Sequence, residues 1–241
     1  MKCMVFASRN NKELLRDPFS ILFGIGLPLV LLLLISALQQ SIMVELFKIE
    51  NFAPGIAVFS FSFISLFTGM LIAQDRCSSF LTRLFASPLT APDYIIGYSL
   101  PLLPIALIQS CLCFAVSLFF GLRLTANLLL ALLVLIPIAA LFIAFGLLLG
   151  SLFSDKQVGG ISSILIQVAA LSSGMWFDLN AIGGAFKAIC YTLPFAHALD
   201  ATRAALTGDY AAILPHLLWT IGYTIVIFAL AIMVFKKKMK S

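Results

Sequence analysis

The sequence predicts an all-α polytopic membrane protein. It has six transmembrane helices, an amino-terminal amphipathic helix, a short cytoplasmic connecting helix and outer re-entrant helices. Three observations predict it. Of 241 residues, 62% are hydrophobic and 10% charged, where a soluble domain has about 45–50% and about 25%. Six apolar runs reach the roughly 20 residues that a bilayer-crossing helix needs. The formal charges fall between those runs: none of the six contains Asp, Glu, Lys or Arg. The chain is therefore expected to be one transmembrane domain, 1–241, with little room for a soluble one.

Residues 1–17 carry Lys2, Arg9, Lys12 and Arg16 around Leu14 and Leu15, the pattern of an amphipathic helix on a membrane surface. The first apolar run continues too long for a secretory signal peptide. Pro18 suits the first turn of the first span. The expected spans are Pro18–Leu38, Phe52–Ala73, Ile95–Gly121, Asn127–Phe153, Val158–Phe177 and Ile213–Phe235. Pro101, Pro104 and Pro137 should bend their helices, with neighbouring helices satisfying the carbonyls that proline frees.

Cationic residues set the expected orientation. With both termini inside, the inner segments hold eleven Lys and Arg and the outer ones four: Lys48, Arg123, Lys187 and Arg203. Positive charge concentrates on the cytoplasmic side. The stretch Gln74–Tyr94 is then cytoplasmic, and the segment 178–212 is outside. The net charge of +5 reflects this topology and does not point to nucleic acid. Lys236–Lys240 anchors the last span. The five cysteines lack the paired spacing of a zinc site, and no metal is expected.

The stretch 74–94 holds Asp75, Arg76, Arg83 and Asp93, with Phe80, Leu81, Leu84 and Phe85 forming one apolar stripe at helical spacing. Ser87-Pro88 should stop that helix. Its pattern suits docking to a partner or lying on lipid headgroups. The outer segment is apolar enough, with Phe186, Ile189, Tyr191, Leu193 and Phe195, to pack on the bundle as short re-entrant helices.

Uncharged spans count against a proton- or sodium-driven carrier, and the phosphate-binding loop G-x-x-x-x-G-K-[ST] is absent from the chain. Energy for any driven transport would come from another polypeptide. Polar residues recur in the second span (Ser60, Ser62, Ser65, Thr68) and the fifth (Ser162, Ser163, Gln167, Ser172, Ser173). Ser65 and Gly69 make a small-x-x-x-small pair for close helix approach. Phe59, Phe63 and Phe67 share one face of the second span; that stripe faces lipid, a neighbouring helix or an amphiphile's path. His197 and Asp200 stand at i, i+3 in the outer segment, with His216 beyond. Capping and hydrogen bonding are expected of them, zinc binding or proton transfer being the alternatives.

Four stretches resemble type-2 (exporter-class) ABC transporter permeases. They are Lys12-Glu13-Leu14-Leu15-Arg16-Asp17-Pro18 with Pro28; Arg83-Leu84-Phe85-Ala86-Ser87-Pro88-Leu89-Thr90; Gly146 to Phe153 through Ser173-Gly174-Met175; and Leu193-Pro194 with Leu199-Asp200-Ala201-Thr202-Arg203. Together they cover nearly the whole chain. Asp75 stands where that family often has glutamates, Leu193 replaces an asparagine, and Trp176-Phe177-Asp178 follows where a proline is common.

The resemblance implies a permease half that pairs with a second copy or a sister subunit. Two separate ATPase subunits would carry the ATP and magnesium, this chain binding no cofactor itself. It implies a coupling helix in 74–94 and an ATPase interface formed by Lys12, Glu13, Arg16, Asp75, Arg76, Phe80, Arg83, Leu84 and Phe85. The substrate path would run along Phe59, Phe63, Phe67, Ser163 and Gln167, and Pro194, His197, Asp200 and Arg203 would form an outer gate. The implied cargo is amphiphilic or hydrophobic: a drug, antibiotic, lipid, lipid-linked glycan or peptide, moved outward across a bacterial cell membrane. Two other readings stay open: a channel or gradient-driven carrier working alone, and an intramembrane lipid-modifying enzyme using His197 and Asp200.

Overall fold

A computed structural model describes residues 2–18, 22–39, 45–78 and 90–239; among them the regular structure is helical, with no strand. The chain is an all-α polytopic membrane protein. Among the described residues, five stretches are long and apolar enough to cross a bilayer: Leu22–Gln39, Ile49–Cys77, Pro92–Phe119, Ala126–Leu152 and Tyr210–Lys237. The expected fifth span is the helix Asp155–Ser172. Its polar start (Asp155, Lys156, Gln157) and internal Ser162, Ser163 and Gln167 separate it from the other five.

Helix α1 (Lys2–Arg16) buries Phe6, Asn10 and Leu14, one turn apart, and exposes Met4, Ser8, Lys12 and Arg16 on the opposite face. The first span opens as a π-turn, Leu22–Gly26, and continues as α2 (Leu27–Gln39). Helix α3 (Ile49–Cys77) is buried along most of its length and is the centre of the bundle. The expected third span is two helices, α4 (Ala91–Ser99) and α5 (Leu102–Phe119), interrupted at Leu100-Pro101. Helix α6 (Ala126–Leu152) passes through Pro137 unbroken, and α7 (Asp155–Ser172) returns along α3. Two short helices, α8 (Leu179–Ile182) and α9 (Gly184–Thr192), lead to α10 (Pro194–Thr207) and the last span, α11 (Tyr210–Met239).

Two prolines free a glycine carbonyl one turn earlier, because proline has no N–H to return to residue i−4. Pro101 frees the Gly97 carbonyl, and the Asn10 side-chain amide of α1 donates to it at 3.2 Å. Pro28 frees the Gly24 carbonyl, and the Gln109 amide of α5 donates there. Both carbonyls lie where water is scarce, and a neighbouring side chain supplies the missing donor.

In lipid, helices associate through close packing more than through apolar burial. The α3–α6 crossing shows this. Gly146 and Gly150 on α6 face Ser65 and Gly69 on α3; a Cβ on Gly150 would lie 2.6 Å from the Gly69 carbonyl oxygen, and one on Gly146 would overlap that of Ser65. On its other flank Gly69 meets Val158 of α7. The expected Ser65–Gly69 pair thus works as a contact, matched by a Gly146–Gly150 pair on its partner. Phe52, Phe61, Tyr98, Phe114, Phe142 and Phe195 are among the fully buried side chains that fill the bundle.

The bundle has two distinct polar ends. One gathers α1, the end of α3, the start of α4, the α6–α7 turn and the last turns of α11, as the Tyr94–Phe235 ring contact shows. The other gathers the start of α3, the α5–α6 turn, α8 and α9, and the α10–α11 turn.

Candidate functional site

At the first end, Asp75 organises the contacts. It is 3% exposed and lies in the last turn of α3. Arg9 of α1 holds both its oxygens, Nη1 to Oδ2 at 2.7 Å and Nη2 to Oδ1 at 2.8 Å. The Tyr98 hydroxyl of α4 donates to Oδ2 at 2.8 Å. Arg9 also pairs with Glu13 at 2.7 Å and donates to Asn10. Glu13 is pushed above the ordinary carboxylate range, first by partial burial, while Arg9 pulls it back. Phe6 sets its ring edge against Tyr94 and Tyr98; it sits where a Cβ on Gly97 would be. A fork of two hydrogen bonds suits guanidinium to carboxylate geometry, and each charge neutralises the other where water is limited.

Arg76, the next residue, reaches across to the end of α6. Its Nη1 donates to the carbonyls of Gly150, Ser151 and Phe153 at 2.9, 2.9 and 3.1 Å. Those carbonyls have no helical partner at a C-terminus, and a cation there also meets the negative end of the helix dipole. On the far side of the connector, Thr90 and Asp93 close a capping box that starts α4. The described residues on either side of 79–89 are thus held to the bundle, and Asp75–Tyr98 links them.

Lys12 and Arg16 stay exposed; with Met4, Ser8, Arg9 and Glu13 they line an open cleft of about 850 Å³. Of the residues predicted for the ATPase interface, the structure thus brings Lys12, Glu13, Arg16, Asp75 and Arg76 to one end. Asp75 faces inward, against Arg9 and Tyr98. Phe80, Arg83, Leu84 and Phe85 lie outside the described residues. Arg9, Asn10 and Tyr98 were not singled out by sequence. An asparagine in line with Phe6 and Leu14 on the apolar face of α1 was the available signal.

The residues predicted for a path are divided. Phe59 and Phe63 meet edge to face, 5.5 Å between centroids, on a partly exposed face of α3. Phe67 instead turns to α1, where Phe67, Met70 and Gln74 share a crevice of about 50 Å³ with Glu13 and Asp17. Ser163 and Gln167 are exposed one turn apart on α7.

At the second end, α10 begins with Pro194 after an extended Leu193 and ends at Gly208, whose φ of 81° favours glycine. Its alanines allow close approach to α6 and α11, and Phe195 packs on Phe142 and Phe145. Arg203 ties α10 to its surroundings through carbonyls: Nε donates to Asn51 at 3.3 Å and Nη2 to Gly174 at 3.4 Å. His197 and Asp200 bond to different groups of Tyr191. The Tyr191 hydroxyl donates to Asp200 at 2.7 Å. His197 Nε2 meets the Tyr191 carbonyl at 3.0 Å, and its Nδ1 meets Nδ1 of His216 at 2.7 Å. The pairing of the two histidines was not foreseen, since 19 residues separate them.

The family model described as ABC-2 type transporter matches residues 1–207. The chain belongs to the ABC-2 type transporter family. It is an ABC transporter permease subunit, a multi-pass membrane protein. Membrane subunits of this ABC-2 family generally pair with ATPase subunits and generally carry no catalytic site themselves. A search of curated proteins finds no match.

Proposed function

We propose that this chain is the permease half of an ATP-driven exporter. It pairs with a second copy or a sister permease, and two ABC ATPase subunits supply the ATP and magnesium. The cargo is amphiphilic or hydrophobic, such as a drug, antibiotic, lipid, lipid-linked glycan or peptide, and it moves outward. The chain lies in a bacterial cell membrane with both termini cytoplasmic.

One observation carries this reading. The stretch 79–89, with Arg83 and Leu84, lies in sequence between Asp75-Arg76 and Thr90–Asp93. Asp75 bonds both Arg9 and Tyr98, and Arg76 holds the end of α6. A push on that segment therefore moves α1, α3, α4 and α6 together. A ligand shifts such an equilibrium only through different affinity for two states, so a force-receiving element must be linked to the spans. The orientation is supported by the grouping of the more cationic segments at the Asp75 end. The uncharged apolar runs of the spans and the half-exposed Phe59–Phe63 pair suit an apolar or amphiphilic cargo.

The test is reconstitution with the ATPase subunit that co-purifies with the chain. Arg83→Glu combined with Leu84→Asp should abolish stimulation of ATP hydrolysis while the α-helical bundle stays folded. Unchanged stimulation and transport would reject the reading, as would cargo movement by the lone chain.

A further inference from the structure

We propose that His197 and His216 form a proton-operated catch that holds α10 against the last span and releases it in acid. The argument rests on donors and acceptors. The Tyr191 carbonyl can only accept, so His197 must present Nε2–H to it. A neutral His197 then has a lone pair on Nδ1, and His216 must donate its own Nδ1–H across the 2.7 Å contact. The pair shares a single hydrogen bond with a fixed direction.

A first proton is accommodated on His216 Nε2, because His216 keeps its Nδ1–H and the bond survives. A second proton has only His197 Nδ1 to occupy. Two N–H groups would then face each other at hydrogen-bond distance on two cationic rings, and the contact must open. The opening therefore belongs to the proton that His197 takes on Nδ1.

The surroundings favour this behaviour. His197 lies in an aromatic niche, 5.4 Å from the Tyr191 ring and 5.3 Å from Trp219, and burial lowers its affinity for a proton. The ionisable groups facing it are His216 and Asp200, with Tyr191 beside them. Asp200 is occupied by the Tyr191 hydroxyl. Helix α6, also packed on α10, contains no ionisable side chain, and those of α7, Asp155 and Lys156, lie at the other end of the bundle. Arg203 donates to the carbonyls of Asn51 and Gly174, and Glu50 stands in the first turn of α3. The catch works whether or not an ATPase is bound, so it stands apart from the function proposed above.

The chain has two tryptophans, so Trp176→Phe leaves Trp219 as sole reporter beside His197. The full-length variant in lipid nanodiscs is titrated from about pH 8 to about pH 4.5, across the histidine range. Trp219 emission and amide exchange in 194–207, corrected for intrinsic pH dependence, are followed together. Emission should be quenched and exchange should rise about threefold or more in one acid step, as expected of a local opening. His216→Phe, which leaves no bond between the rings to open, should remove the step in amide exchange. His197→Gln, which can still donate to Tyr191 and accept from His216 but gains no proton, should keep exchange slow throughout. A wild-type chain without the step, or an exchange step retained in either variant, would overturn the proposal. So would a step that needs added zinc or copper and disappears with chelator, which would make the pair a metal site.

Discussion

The Tyr98 hydroxyl donates to the Asp75 carboxylate at 2.8 Å, joining two positions 23 apart in sequence on either side of the connector. Arg9 completes the site with a bidentate grip on the same carboxylate. Removing one partner of a buried pair leaves a charge without compensation, the costly case. Because Arg9 is partly exposed, Arg9→Ala is expected to cost about 2 kcal/mol, below the full buried-pair figure. Tyr98→Phe removes one hydrogen bond and should cost about 1 kcal/mol. Arg9→Lys should rescue little, since lysine lacks the fork. Thermal unfolding in nanodiscs gives the order; equal effects of Arg9→Lys and wild type would refute the bidentate role.

Pro28 and Gln109 form a second testable pair. Gln109→Leu strands the Gly24 carbonyl that Pro28 frees, and the expected cost is about 1 kcal/mol, in the range measured for polar contacts within membranes. Pro28→Ala restores an N–H one turn below Gly24. In the Pro28→Ala background, Gln109→Leu should therefore cost little. A double-mutant cycle reads the coupling directly. Additive effects would mean that the glutamine does not serve that carbonyl.

Gly146→Val should be severely disruptive, because a side chain there runs into the α3 backbone at Ser65. Overpacking costs about 1–3 kcal/mol where side chains can yield, and backbone cannot. Gly222→Ala, facing open space on α11, is the matched control and should be neutral. The yield of folded protein after detergent extraction distinguishes them. Similar losses in both would remove the argument for a tight α3–α6 crossing.

The spans were legible because apolar length and the position of charge depend on sequence alone. So was the Ser65–Gly69 contact, since small residues four apart have few other uses in a membrane helix. The freed carbonyls at Gly24 and Gly97 were implied by Pro28 and Pro101, but the donors were not: Asn10 is 87 residues from Gly97. The same holds for Tyr98 and Asp75, and for His197 and His216. Such partners are set by how helices rotate against each other, which hydropathy does not report. The polarity of α7 shows the limit from the other side: its Ser162 and Gln167 weaken the hydropathy of a helix that still packs along α3.

The pH dependence of stability follows from His197. Burial, the largest cause, holds its imidazole below the ordinary histidine value, His216 adds to this, and the Tyr191 carbonyl opposes it. The unfolded chain takes up this proton near about pH 6.5, and the native chain only at lower pH. Below the unfolded value the unfolded state binds more protons, so stability rises with pH through that window. The contribution is complete above the ordinary histidine value and is lost as the pH falls below it. Glu13, shifted upward, acts in the opposite direction but in the window just above the ordinary carboxylate value. Thermal unfolding of the wild-type chain should therefore shift to lower temperature on going from about pH 7.5 to about pH 5.5. His197→Phe should flatten that dependence, while Glu13→Gln should leave it in place. A slope that persists in His197→Phe would assign the dependence to another group.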